Sequence, residues 1–102
     1  MTTTDIRKAL KKFGYSIRLN SKIDYGHGRV KAEYTLKTLK NKQFGGEYIG
    51  AHIKVWYYVN VKEVFDLTYM QQTTFGILNM VNCKTLQDFE TCLKNLKALK
   101  TI

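Results

Sequence analysis

His52-Ile53-Lys54-Val55-Trp56-Tyr57-Tyr58-Val59-Asn60-Val61 alternates apolar and other residues, with Ile53, Val55, Tyr57, Val59 and Val61 on one side. Successive side chains of a strand point to opposite faces, so this pattern predicts a strand buried on one face only. Upstream, Arg29–Thr38 repeats the pattern with Val30, Ala32, Tyr34 and Leu36. The glycines of Tyr25-Gly26-His27-Gly28 mark a turn between it and an earlier strand, in which Tyr15, Ile17 and Leu19 alternate with Ser16, Arg18 and Asn20. Residues 40–50, with Gly45-Gly46, read as a loop or irregular hairpin.

Helices bracket these strands. Ile6, Ala9, Leu10 and Phe13 recur at helical spacing; Thr4 is placed to cap that helix and Gly14 to end it. At the other end Leu86, Phe89, Leu93 and Leu96 form a stripe widened by Cys92 and Leu99, behind Thr85 and Asp88 at capping-box spacing. Residues 63–82 are open between strand and helix: Phe65, Leu67 and Tyr69 alternate like a strand, and 75–81 fits either. The expected fold is an α+β two-layer sandwich in one domain, 1–102, with an N-terminal helix, an antiparallel sheet of three to four strands and a C-terminal helix. One sheet face would be left open.

The net charge of +9 is one-sided. Residues 1–62 hold 13 Lys/Arg against 4 Asp/Glu, whereas residues 63–102 hold 4 against 4. Such asymmetry creates a positive potential over part of the surface and points to an acidic partner. Asp88 and Glu90 near the start of the last helix, and Lys94, Lys97 and Lys100 near its end, complement the helix dipole. On the first helix Arg7, Lys8, Lys11 and Lys12 stand opposite the apolar stripe, as like-charge pairs four residues apart. With Thr4 as cap, Arg7 and Lys8 would lie in the first turn, where the dipole disfavours cations. An ordinary solvated face and a docking face for an acidic partner both fit.

Alternation assigns Arg18, Lys22, Arg29, Lys31, Lys37 and Lys54 to the open sheet face, together with Trp56 and Tyr58. Cations interleaved with aromatics suit single-stranded nucleic acid, lysines tracking phosphates while rings stack on bases. The competing reading, favoured by the rarity of large exposed apolar patches, is that residues 63–82 or a second copy in a homodimer cover Trp56 and Tyr58. With 14 Lys and 3 Arg, backbone or shape recognition is expected more than bidentate base reading.

No enzyme constellation is present. Cys83, Cys92, His27 and His52 lack zinc spacing, and the cysteines read as buried free thiols. Gly26-His27-Gly28 is a turn, not a phosphate loop. Asp24 and Glu33 are placed as neighbours across the first hairpin, a weak pair on their own. No cofactor and no metal is implied. The chain shows neither an 18-residue apolar run nor a secretory leader, so the expectation is a cytoplasmic protein with no membrane partner.

The stretch Asp5-Ile6…Leu10-Lys11…Tyr15-Ser16-Ile17-Arg18-Leu19 resembles the start of a small anti-CRISPR protein of Gram-positive phages, in which a capped helix runs straight into the first strand. The resemblance covers about a fifth of the chain and implies a phage effector acting by occlusion. That relative is acidic and mimics DNA, whereas this chain is +9, so neither mimicry nor binding residues carry over. The lysine-rich, proline-free composition fits an AT-rich genome. The element order is also similar to double-stranded RNA-binding domains, but their Gly-Pro-x-His loop and Lys-Lys-x-Ala-Lys helix start are missing. Two functions are therefore expected: a small basic protein of phage or mobile-element origin that contacts nucleic acid through its Lys-rich helix and sheet face, or an effector that binds and inhibits an acidic host protein or nucleoprotein.

Overall fold

A computed structural model describes residues 1–38, 50–73 and 76–100, with side chains described at all of these except 38, 72–73, 76–78 and 97–100. The order is α1 (Thr3–Lys12), β1 (Tyr15–Gly26), β2 (Arg29–Thr38), β3 (Ala51–Tyr58), β4 (Val64–Thr73), β5 (Gly76–Asn82) and α2 (Leu86–Lys100). The protein is thus α+β, and its described residues form two helices and one antiparallel sheet in the order β1-β2-β3-β4-β5. Among the described residues the expected three to four strands become five, because Val64–Thr73 and Gly76–Asn82 form two strands that extend the sheet sideways. The expected loop over 40–50 lies, apart from Gly50, outside the described residues.

Both helices share one core with one face of the sheet. Ile6, Ala9 and Leu10 of α1 and Phe89, Cys92, Leu93 and Leu96 of α2 are buried with Leu36, Ile53, Val55, Leu67 and Tyr69. Register explains the choice of face: Tyr34, Ile53 and Tyr69 are directly paired in turn across β2, β3 and β4, as are Ala32, Val55 and Leu67. The opposite face carries the rows Lys31–Trp56–Asp66 and Glu33–Lys54–Thr68.

The register shifts at four places, between Leu19 and Ser21, Asp24 and Gly26, Trp56 and Tyr57, and Gln71 and Gln72, and two of these shifts redirect the side chains of the open face. In β1 the register shifts between Leu19 and Ser21. A bulge puts two residues of one strand opposite one of its partner and reverses every side chain beyond it. Asn20 and Ser21 both reach the open face, bonding Thr35 and Glu33, and Ile23 pairs with Lys31 there. Lys22 instead pairs with Ala32 on the helix side, which removes it from the predicted basic sheet face. Asp24 pairs with Val30 on that same side, so it is not the neighbour of Glu33. A second shift beside Trp56 and Tyr57 leaves Phe65 as the extra residue of β4. Phe65 therefore leaves the side of Leu67 and Tyr69 and joins the open face.

Caps and turns follow local chemistry. Thr2, not Thr4, caps α1: its hydroxyl accepts from the Asp5 N–H at 3.2 Å while the Asp5 carboxylate accepts from the Thr2 N–H at 2.9 Å. Arg7 and Lys8 consequently lie in the second turn, past the region where the helix dipole disfavours cations. The same reciprocal box forms at α2, with both Thr85–Asp88 bonds at 3.1 Å. The β1–β2 turn places His27 at φ 56° and Gly28 at φ 76°, the two positive angles of a type I′ hairpin, which suits the sheet twist. β3 ends at Tyr58, earlier than its alternation suggests; Val59 and Val61 belong to the turn before Lys62 at φ 55°. The chain start is tied to this turn by Thr3 N–H to Lys62 O and Val64 N–H to Met1 O. Among the described residues no helix is long and apolar enough to cross a membrane.

Candidate nucleic-acid interface

The β1 bulge at Asn20, the β4 bulge at Phe65 and the β1–β2 turn assemble an aromatic cluster on the open face. Tyr25 stacks on Trp56, with centroids 5.1 Å apart and planes at 21°. Phe65 lies 6.4 Å from Trp56 and 4.7 Å from Tyr58. Lys31 holds its ammonium 5.4 Å from the Trp56 ring centroid, a cation–π contact. Tyr25, Tyr58 and Phe65 remain 45%, 41% and 46% exposed, and Trp56 is half-buried beneath them. Of the described residues in 63–82, Phe65 borders this cluster and itself remains exposed. Ile23 extends it on β1, and Val59 and Val61 continue the exposed apolar surface at the β3–β4 turn.

Cations surround the rings. Arg29 is paired directly with Tyr58, and Lys31 with Trp56. Arg18 pairs with Thr35 and Lys37 with Ser16 at the far end of the face. Among the described residues the face also carries Asp66 and Glu33. Asp66 accepts a 2.6 Å hydrogen bond from the Asn82 amide. Glu33 accepts from the Ser21 hydroxyl at 2.8 Å and lies 3.6 Å from the Lys54 ammonium. The Ser21 bond first, then the lysines, hold the Glu33 carboxyl below its ordinary value, so it is ionised at neutral pH. Of the cations predicted for this face, Arg18, Arg29, Lys31, Lys37 and Lys54 are on it and Lys22 is not.

The α1 cations stand on the far side of the molecule, since α1 buries its stripe against the opposite sheet face. Two stand beside residues of other elements. Arg7 lines a shallow cleft with Tyr34 of β2, and Lys12 pairs with Glu90 of α2 at 3.5 Å, an exposed contact worth at most about 1 kcal/mol. Lys8 and Lys11 are exposed on the helix surface. The predicted binding residues therefore form two surfaces that one short ligand cannot touch together.

Cys83 and Cys92 are free and buried, with sulfurs 3.8 Å apart. The hydrogen bond with Cys92, followed by burial, pushes the Cys83 thiol up. This outweighs its position before a helix start and makes it a poor nucleophile. Among the described residues no three His, Cys, Asp or Glu side chains gather as metal ligands. Compared with protein-family models, curated proteins and solved structures, the chain matches none.

Three features of the site have no simple signal in single-strand alternation: Tyr25, Ile23 and Phe65 reach the open face only through the bulges. Pairing partners, rather than residue order alone, reveal them.

Proposed function

We propose that this chain is a non-enzymatic binding protein that holds single-stranded nucleic acid on the open face of its sheet. The observation that carries this reading is the Tyr25–Trp56–Phe65–Tyr58 cluster with Lys31 over the tryptophan and Arg29 beside Tyr58. Exposed rings give bases a sequence-tolerant stacking surface, and flanking cations neutralise the phosphates between them. The fold then works as a two-layer sandwich, with the helices closing one side and the ligand occupying the other. A duplex hides its base faces, so a stacking surface favours single strands over double strands.

The experiment is binding of matched single- and double-stranded DNA and RNA across a salt series. Counterion release makes phosphate-driven affinity fall linearly on a log–log plot, by about 0.7 per neutralised phosphate for single strands. Expected are preference for single strands and a slope of about −2 to −3, equivalent to three or four of Arg18, Arg29, Lys31 and Lys37. Absence of binding at about 50 mM salt removes the proposal.

The alternative, an effector of phage or mobile-element origin that occludes an acidic host protein or nucleoprotein, draws on Lys8 and Lys11 of α1. These are exposed on the side facing away from the aromatic cluster.

A further inference from the structure

Next to the aromatic cluster, one row further along β2 and β3, the open face sinks into a depression of about 260 Å³ bordered by Asn20, Glu33, His52, Lys54 and Met70. It is smaller than the roughly 300–1,000 Å³ of sites for drug-sized ligands and suits one flat heterocycle. Along each strand its polar pair stands two residues from the Lys31–Trp56 pair, roughly 7 Å away. A strand that stacks one base on the aromatic cluster therefore brings its neighbour over the depression.

The chemistry of this neighbour position is unlike the rest of the face. Phosphates are repelled by a carboxylate, yet Glu33 stands in the middle of a basic surface. The Ser21 hydroxyl occupies one of its oxygens, Oε2, at 2.8 Å. The other, Oε1, faces the Lys54 ammonium at 3.6 Å, longer than a hydrogen bond, so it retains acceptor capacity. Glu33 and Lys54 side chains are 34% and 47% exposed, open to a ligand. Side by side, they offer acceptors and then a donor. Met70, directly paired with His52 across β3 and β4, gives the depression an apolar border.

We infer that the Glu33–Lys54 pair reads the Watson–Crick edge of an unpaired guanine next to the stacked base. Guanine presents two adjacent donors, N1–H and the N2 amino group, and then the O6 acceptor. The donors match the Glu33 carboxylate and O6 matches the Lys54 ammonium. Adenine presents an acceptor at N1 against the carboxylate, and uracil a single donor between two carbonyl oxygens, so both fit worse. The assignment rests on the proposed single-strand function and adds base selectivity to it.

The test compares the full chain with its Glu33→Gln and Glu33→Ala variants, binding labelled oligouridylate of about ten nucleotides. The oligomer is used unmodified or with one central guanosine, inosine or adenosine. Expected for the unmodified chain is about tenfold tighter binding with guanosine than with adenosine or uridine. Inosine, lacking the N2 amino group, falls between. Glu33→Ala is expected to bind plain oligouridylate at least as tightly as before, since a negative charge is gone, and to lose the guanosine preference. Glu33→Gln keeps the size of the side chain but sets a donor against guanine's donors, and it too loses the preference. Equal binding of all four oligomers overturns the Glu33 assignment alone and leaves the stacking surface standing. So does a guanosine preference that survives both substitutions. Failure of every oligomer to bind overturns the single-strand reading and this inference with it.

Discussion

Replacing Trp56 with alanine separates a surface ring from a core ring. The indole makes one stacked contact with Tyr25, one tilted contact with Phe65 and a cation–π contact with Lys31. Aromatic pairs add about 0.5–1.5 kcal/mol each beyond area burial, and an exposed cation–π contact adds about 0.5–1 kcal/mol. A fully buried aromatic-to-alanine change costs about 3–5 kcal/mol. Trp56 is half-buried and stands outside the shared helix–sheet core, so the expected cost is about 2 kcal/mol. That lies within the roughly 5–15 kcal/mol stability of a typical domain, and the variant keeps a cooperative melt lowered by about 10 °C. Loss of one stacked base lowers single-strand affinity by about 1–3 kcal/mol, or roughly 5- to 150-fold. The assay is thermal melting by circular dichroism beside anisotropy of a labelled oligonucleotide, with Leu67→Ala as the core comparison. Leu67 is fully buried, and its truncation costs about 2–5 kcal/mol. Non-cooperative melting of Trp56→Ala, or unchanged oligonucleotide affinity in a folded variant, refutes the surface-platform reasoning.

Further expectations follow from particular contacts. Lys8→Glu combined with Lys11→Glu changes single-strand affinity less than about threefold at 0.15 M salt, because α1 lies across the molecule and the Debye length is about 8 Å. Lys31→Glu, by contrast, lowers affinity more than about tenfold, through lost phosphate and ring contacts. His27→Asn creates the Asn-Gly pair that type I′ turns favour, at a position already at φ 56°. It should raise stability by up to about 1 kcal/mol in denaturant titration, and a loss would contradict the turn assignment. The pH dependence of stability is set in part by Glu33. Its folded value is depressed below 4.5, so its contribution is present above the unfolded value and fades as pH falls through the folded one. Glu33→Gln should therefore flatten the acid side of the stability profile, and an unchanged profile would show that the Ser21 and Lys54 contacts do not hold the carboxylate.

Much of the architecture was legible because it rests on periodicity. The alternations of Val30–Leu36 and Ile53–Tyr57 identify the central strands, and the stripes of both helices enter the core as their spacing requires, the side chain of Leu99 lying outside the described residues. The box at Thr85 and Asp88 forms as its spacing indicates. What escaped depends on partners. Of three consecutive threonines Thr2 caps α1, because only it has an acid, Asp5, three residues on and because backbone bonds near Lys62 and Glu63 hold the chain there. A bulge leaves no mark in one strand's own pattern, since it is a mismatch in count between two strands. That is why Lys22 moved to the helix side while Ile23, Tyr25 and Phe65 joined Trp56. The charges of α1 follow from the same partners: the Thr2 cap places Arg7 and Lys8 in the second turn, and Tyr34 and Glu90 stand beside Arg7 and Lys12.

Trp56 is the chain's single tryptophan, so intrinsic fluorescence reports directly on the proposed stacking surface. Titration with a single-stranded oligonucleotide at about 50 mM salt should give saturable quenching that reverses as salt is added, with little change for the matched duplex. Emission unaltered by every single-stranded DNA and RNA at that salt would contradict the claim that this face binds nucleic acid.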